Sequence, residues 1–238
     1  MLKVYHNGTM GREAPGFAFL AARDGAGAVR VYDTAPDAAL MEWLDGPTLG
    51  DIARGGDDDR AAALLAETAA RLHAGPATPI ADAPRIDAWL APFLTCACAP
   101  DCPAPAVRAL RAAGALGRHL LATARDIRPL HGDLHHDNVI GGPRGFCAID
   151  AKGVIAERTY ELANALRNPA GNAALLRDPA RTTQRVEVWS RVCALDPQRL
   201  RQWAAVKTAL SIFWRAQGPI GADPEHDLLA LRLAEAAA

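Results

Sequence analysis

The residues able to do chemistry are concentrated between Leu130 and Asp150, in L-H-G-D-L-H-H-D-N-V-I-G-G-P-R-G-F-C-A-I-D. His131, Asp133 and Asn138 stand in an H-x-D-x-x-x-x-N arrangement, followed by a turn-rich hairpin and a second carboxylate at Asp150. Phosphoryl transfer asks mainly for positioning and charge neutralisation. A carboxylate must reach the acceptor hydroxyl, and hard oxygen ligands must hold the Mg2+ that accompanies ATP. Asp133 is the candidate base, and Asn138 and Asp150 are the candidate magnesium ligands. His131 is expected to brace the loop through ring hydrogen bonds. A polar turn between a helix and a hairpin would account for Gly132 and Asp137 but not for the whole spacing. The crowding of His131, Asp133, His135, His136 and Asp137 admits a rival, a zinc or two-metal hydrolytic site. That rival has only His6, His73, His119 and His226 to add, and it leaves Asn138 and Asp150 without a role.

The elements that must position these groups begin with a short strand over Leu2–Tyr5, which carries Lys3. A helix over Gly11–Arg23 has Glu13 near its start, so Lys3 and Glu13 fit an ion pair that would hold the α/β-phosphates. Gly25–Gly27 lacks G-x-G-x-x-G and reads as a turn. Strands follow over Ala28–Tyr32 and Ala38–Leu44. The second ends at Glu42, Trp43 and Leu44, just before the Asp45-Gly46-Pro47 breaker, where backbone groups can meet the edge of adenine. Helices are expected from Thr48 to Arg54 and over Arg60–His73, Ile86–Leu94, Ala106–Arg125 and Thr159–Arg167. Three more, Pro179–Ala194, Pro197–Gln217 and Pro224–Ala236, each open on proline, which the first turn tolerates. Val139-Ile140 and Phe146–Ile149 would pair across a glycine- and proline-rich turn. The expected fold is α+β, with a small sheet-containing lobe over residues 1–44 and a mostly helical lobe over 45–238 that carries the catalytic loop.

A formal net charge of -1 argues against a broad grip on nucleic acid or an anionic membrane. No apolar run reaches membrane-spanning length, and M-L-K-V-Y-H-N-G lacks a signal-peptide layout, so a cytoplasmic protein is expected. Aromatic residues are only 5% of the chain, so alanine and leucine must carry most of the packing. Five cysteines without a secretory signal do not suggest a disulfide framework. Cys96, Cys98 and Cys102 cluster, but C-A-C-A-P-D-C lacks zinc spacing and a second ligand pair, and reads as a structural thiol group.

Assembled, these residues resemble the aminoglycoside phosphotransferase superfamily, and within it the streptomycin 6-kinase and hydroxyurea phosphotransferase branch. The blocks that carry the resemblance are L-K-V-Y at Leu2, L-M-E-W-L-D-G at Leu40, A-A-R-L-H at Ala69 and H-G-D-L-H-H-D-N-V at His131. A-I-D-A-K-G at Ala148 then runs into Y-E-L-A-N-A-L-R-N-P at Tyr160. The resemblance implies a two-lobed protein-kinase-like fold, ATP and Mg2+, with Asp133 as base, Asn138 and Asp150 on the metal and Lys3 on the phosphates. Lys152 stands where protein kinases carry phenylalanine and glycine after the metal-binding aspartate.

The chain departs from the family pattern in two places. The strand lysine normally follows two strands and a nucleotide-covering loop, yet here it is residue 3. The expectation is therefore an N-terminal lobe without its first hairpin, either because the start is placed late or because part of the ATP lid is lost. A catalytically impaired nucleotide-binding or interaction protein is the alternative function. Glu161 stands where the family more often has aspartate. The implied acceptor is a hydroxylated, cationic small molecule. Glu157, Glu161, Asp223, Glu225 and Asp227 are acids able to meet it, although solvated helix faces explain them equally well.

Overall fold

A computed structural model describes all 238 residues. The first lobe begins with β1 (Leu2–Val4), a 3-10 turn over Gly11–Glu13 and helix α1 (Ala14–Arg23). Strands β2 (Val31–Ala35) and β3 (Ala38–Met41) complete it. β3 is central, antiparallel to both neighbours, in the order β1-β3-β2, with Lys3 opposite Ala39. Strand alternation turns Ala39 and Met41 into a core shared with Phe17, Phe19 and Leu20 of α1, while Leu2, Val4, Tyr32 and Leu40 remain exposed.

β2 starts three residues later than the sequence suggests, because Ala28 and Val29 pair with the chain that leads to Asp150 instead. Val29 N–H donates to the Ala148 carbonyl at 2.9 Å, and Ala148 N–H donates to the Gly27 carbonyl at 2.8 Å. The third strand stops at Met41 rather than Leu44. Beyond it, Gly46 N–H bonds the Gly141 carbonyl and Gly141 N–H bonds the Pro47 carbonyl, both at 3.0 Å. A Cβ at Gly46 would sit 2.6 Å from the Gly141 oxygen, so this crossing requires glycine.

The second lobe opens with α2 (Leu49–Arg54), which starts at a reciprocal cap. Thr48 Oγ1 accepts from Asp51 N–H, and the Asp51 carboxylate accepts from Thr48 N–H. α3 (Asp58–His73), α4 (Ile86–Thr95) and α5 (Ala104–Ala122) follow, all close to their predicted bounds. Next come β4 (Ile127–Leu130), a 3-10 turn over His136–Asn138, β5 (Val139–Gly142), β6 (Gly145–Ala148) and β7 (Val154–Glu157). β5 and β6 form the expected hairpin. β4 and β7 form an antiparallel pair that the sequence reading did not predict, with Leu130 opposite Val154, and they flank the segment from His131 to Gly153.

A ten-residue 3-10 helix spans Arg158–Arg167 and precedes α6 (Ala173–Arg177), α7 (Pro179–Cys193), α8 (Pro197–Ala216) and α9 (His226–Ala237). One core joins α1 and β3 to α3 and to Trp189 of α7. A second lies among α4, α5 and α8, around Trp203. α8 is buried on every side from Trp203 to Ile212 and is the axis of the helical lobe. No helix is long and apolar enough to cross a membrane.

Candidate active site

β4 delivers the chain to His131, and buried Glu161 catches the loop there. The His131 and Gly132 N–H groups each donate to one Glu161 oxygen at 2.9 Å, and His73 Nε2 lies 2.8 Å from that carboxylate. Burial alone would raise the Glu161 pKa. Its hydrogen bond to His73, the nearby imidazoles and the Gly132 N–H outweigh that and hold it below the ordinary value. Gly132 adopts φ +81°, and a Cβ there would meet Val154 Cγ1 at 2.7 Å, so the turn needs glycine twice over. The His131 ring is fully buried. Its Nδ1 accepts from Asp133 N–H at 3.3 Å, so Nε2 carries the proton and donates to the Ile149 carbonyl at 2.7 Å. Desolvation lowers its pKa, making it a neutral brace between the loop and the strand that leads to Asp150.

Asp133 lies partly open at the head of the loop. Its Oδ1 accepts from Asn164 Nδ2 at 2.8 Å and lies 3.7 Å from Lys207 Nζ. Asn138 Nδ2 donates to the Asp133 carbonyl at 3.0 Å, which leaves the Asn138 amide oxygen as a free ligand atom. The Asn138 carbonyl accepts from Ile149 N–H at 2.9 Å and so ties the loop to the residue before Asp150. Asp150 takes a left-handed φ of +56°, a costly conformation for a residue with a Cβ. Its carboxylate meets Lys3 Nζ at 3.1 Å and Lys152 Nζ at 3.5 Å. Burial pushes its pKa up, but the two ammonium groups prevail and hold it below the usual range. The result is a set of hard oxygen atoms, one amide and one carboxylate, beside a base candidate.

The expected Lys3–Glu13 pair does not form. Glu13 bonds Lys152 Nζ through both oxygens, at 3.1 and 3.0 Å, while Lys3 goes to Asp150. The cause is backbone packing. A Cβ on Gly16 would lie 1.7 Å from the Ala151 carbonyl oxygen, and one on Gly153 would lie 2.2 Å from the Pro15 oxygen. The start of α1 therefore sits directly on the Ala151–Gly153 turn and carries Glu13 to Lys152. Lys3 also lies 5.4 and 5.5 Å from the ring centres of Tyr5 and Phe17.

The Glu42 side chain pairs with Arg144, which lowers its pKa. Glu42 N–H donates to the Arg30 carbonyl, while the Glu42 carbonyl and Leu44 N–H have no hydrogen-bond partner within the chain. Leu44 packs against the first core, and Trp43 is 66% exposed.

The histidines of the loop do not converge as a metal centre would require. Both His131 nitrogens are committed, His135 caps the short turn at Asp137, and His136 is buried against Trp189. No group of three or more His, Cys, Asp or Glu side chains is placed to hold a metal. Of the acids considered for an acceptor, Glu157 is buried in an ion pair with Arg199, and Glu161 holds the loop. Asp223 and Glu225 pair with Arg215 and Arg167. Only Asp227 is exposed without an ion-pair partner.

Sequence reasoning missed Asn164 and Lys207. In a 3-10 helix, residues three apart eclipse one another, so Glu161, Asn164 and Arg167 share one face. Glu161 and Asn164 use that face to hold the loop, and Arg167 Nη1 bonds the Asn164 side-chain oxygen at 3.1 Å. On an α-helix the same residues would drift by about 60° per step instead of eclipsing one another.

Residues 1–218 match the family model described as aminoglycoside/hydroxyurea antibiotic resistance kinase. The chain belongs to this family. It is 38% identical over 209 residues to a streptomycin 3''-kinase of Klebsiella pneumoniae, covering 85% of this chain and 75% of that relative. The relative is named for the 3'' position, whereas the sequence resemblance pointed to the 6 position. Among solved structures, a choline/ethanolamine kinase family protein from Mesorhizobium loti superposes with a TM-score of 0.65 at 16% identity. That match covers 95% of this chain and 77% of the other. Aminoglycoside 2'-phosphotransferase-IIIa superposes with a TM-score of 0.60 at 17% identity, over 95% and 83%. The fold of this antibiotic resistance kinase family member is thus the α+β protein-kinase-like fold, and the protein is a small-molecule kinase.

Proposed function

We propose that this kinase transfers the γ-phosphoryl group of ATP to a hydroxyl of a cationic aminoglycoside of the streptomycin type, in the cytoplasm. In this reading residues 1–44 form the nucleotide-side lobe and residues 45–238 the catalytic lobe. The observation that carries it is the Asp133 carboxylate, held through Oδ1 by Asn164, with the Asn138 amide oxygen and the Asp150 carboxylate beside it. Oxygen donors of this kind suit Mg2+, which would be held by Asn138 and Asp150 and would neutralise charge on the phosphates.

The chain's own residues supply the rest. Asp133 takes the proton of the acceptor hydroxyl as that oxygen attacks phosphorus. His131 and Glu161 keep the loop rigid during the transfer. Lys3, paired with Asp150 at 3.1 Å, has the charge and reach to turn to the phosphates, and Glu13 and Lys152 tie α1 to the Asp150 turn. The unpartnered Glu42 carbonyl and Leu44 N–H offer one acceptor and one donor, the pattern that the edge of adenine requires.

The test is ADP release by purified protein with ATP, Mg2+ and streptomycin, with mass spectrometry and NMR of the product to locate the phosphate. Asp133→Ala is expected to lower turnover by roughly 10²–10⁴-fold. Acceptor-dependent turnover that survives in Asp133→Ala would remove that residue as the base. No turnover with any hydroxylated cationic acceptor would favour a catalytically impaired protein of the same fold.

A further inference from the structure

Within the stretch of α8 buried on every side, Trp203–Ile212, there is one charged residue, Lys207. Its side chain is 3% exposed, and an ammonium in such a place is costly unless something compensates it. Several elements bring groups to it. The catalytic loop brings Asp133, with Oδ1 at 3.7 Å. The 3-10 helix brings the Tyr160 ring, centred 5.8 Å away, and the like charge of Arg167. The turn after β6 brings a second like charge, Lys152. From α8 itself, Trp214 lays its ring 4.7 Å from the ammonium. It stands seven residues on, hence on the same face, and is set edge-to-face against Trp89 at 5.8 Å. Burial pulls the Lys207 pKa down to about 8, with Asp133 opposing that fall. Near neutral pH the group is therefore still an ammonium.

Asn164 Nδ2 from the 3-10 helix thus hydrogen-bonds Oδ1 of Asp133, and Lys207 Nζ from α8 forms an ion pair whose nearest carboxylate oxygen is that same Oδ1, while Oδ2 has no hydrogen-bond partner. We propose that Lys207 is a positioning residue for phosphoryl transfer. Together with Asn164 it pins the inner oxygen of Asp133, so that the outer oxygen is presented to the acceptor hydroxyl. This rests on the reading of Asp133 as the base. As the acceptor oxygen bonds to phosphorus and the bond to the leaving nucleoside diphosphate breaks, the hydroxyl proton passes to Oδ2. Lys207 keeps its own proton and steadies the carboxylate until that transfer. Trp214 and Tyr160 keep the ammonium from swinging away.

The experiment compares Lys207→Met, Lys207→Arg, Trp214→Leu and Asp133→Ala in the full chain. It measures kcat, KM for ATP, KM for streptomycin and melting temperature. Lys207→Met is expected to lower kcat roughly ten- to hundredfold, the cost of a slightly misplaced reacting group, with KM for ATP unchanged and the melting temperature not reduced. Lys207→Arg should recover part of the loss, and Trp214→Leu should lower kcat in the same direction. Wild-type kcat in Lys207→Met would overturn the proposal. So would a raised KM for ATP with kcat retained, since Lys207 would then face the phosphates. A melting temperature that falls with kcat and is not rescued by arginine would make the residue merely structural. Should Lys207→Met fail to fold, wild-type kcat in Trp214→Leu overturns the proposal by itself. An active Asp133→Ala would defeat the underlying base assignment, whereas an inactive Asp133→Ala beside a fully active Lys207→Met defeats only the role of Lys207.

Discussion

Glu161 is the place to break the site without touching a reacting group. It is 3% exposed and accepts from His131 N–H, Gly132 N–H and His73 Nε2, all at 2.8–2.9 Å. Glu161→Ala leaves two backbone donors and a histidine nitrogen unpaired in the interior. Each orphaned donor costs about 1–3 kcal/mol, and the three lost together should cost about 3–5 kcal/mol in all. For a chain of this length each kcal/mol moves the melting temperature by about 2–4 °C, so a fall of roughly 10 °C is expected. Glu161→Gln keeps the shape but presents an NH2 to one of the N–H donors, and should cost about 1–3 kcal/mol.

The pH dependence supplies a second readout. The folded-state pKa of Glu161 lies below its unfolded value, so its stabilisation is complete above the unfolded pKa and is lost as pH falls through the folded one. The gap between the melting temperatures of wild type and Glu161→Gln should therefore be widest near neutrality and close in acid. Loosening the loop by about 1 Å should also reduce kcat/KM by up to roughly a hundredfold. Scanning calorimetry from neutrality down to pH values well below the ordinary carboxylate range, together with initial-rate kinetics, decides the matter. A Glu161→Ala protein that melts within about 2 °C of wild type, with unchanged kcat/KM, would refute the view that this carboxylate holds the loop.

Gly16→Ala should cost about 1–3 kcal/mol and raise KM for ATP, because the added carbon would lie 1.7 Å from a backbone oxygen that cannot swing aside; thermal melts and ATP saturation curves check both. Arg199→Met should cost about 3–5 kcal/mol by stranding buried Glu157, with kcat per folded molecule unchanged, and Glu157→Met in the same chain should recover most of that loss in denaturant titrations. Lys152→Ala removes a partly exposed link to Glu13, so stability should stay within about 1 kcal/mol while turnover falls several-fold, which urea titration and ADP-release kinetics separate.

Local chemistry was the most legible part of the chain. The spacing of His131, Asp133, Asn138 and Asp150 is a property of one continuous stretch, and its turn residues announce the hairpin between β5 and β6. The helices were legible for a related reason: periodic leucines and alanines, an opening proline or a capping threonine are all local signals. The pairing of β4 with β7 was not legible. Ile127–Leu130 contains Arg128-Pro129, a poor strand signal, and its partner lies beyond the whole catalytic loop, so only tertiary packing makes it a strand. The Lys3–Glu13 pair failed because two glycines, Gly16 and Gly153, decide where α1 lands, and their effect runs through backbone proximity that no charge pattern encodes.

Asn164 and Lys207 were hidden in different ways. Asn164 sits in Y-E-L-A-N-A-L-R, which looks α-helical, and nothing local states that the helix winds with three residues per turn and so stacks Asn164 directly over Glu161. Lys207 did leave a signal. From Trp203 to Trp214 the sequence reads W-A-A-V-K-T-A-L-S-I-F-W, with a single charge in twelve residues. A surface helix of that length carries a polar face with several charges, whereas a helix apolar all round is buried. A lone lysine in such a segment must therefore enter the core, where its ammonium needs a carboxylate to meet it. In a chain whose one unpaired catalytic aspartate candidate was already in view, that requirement points from α8 to Asp133.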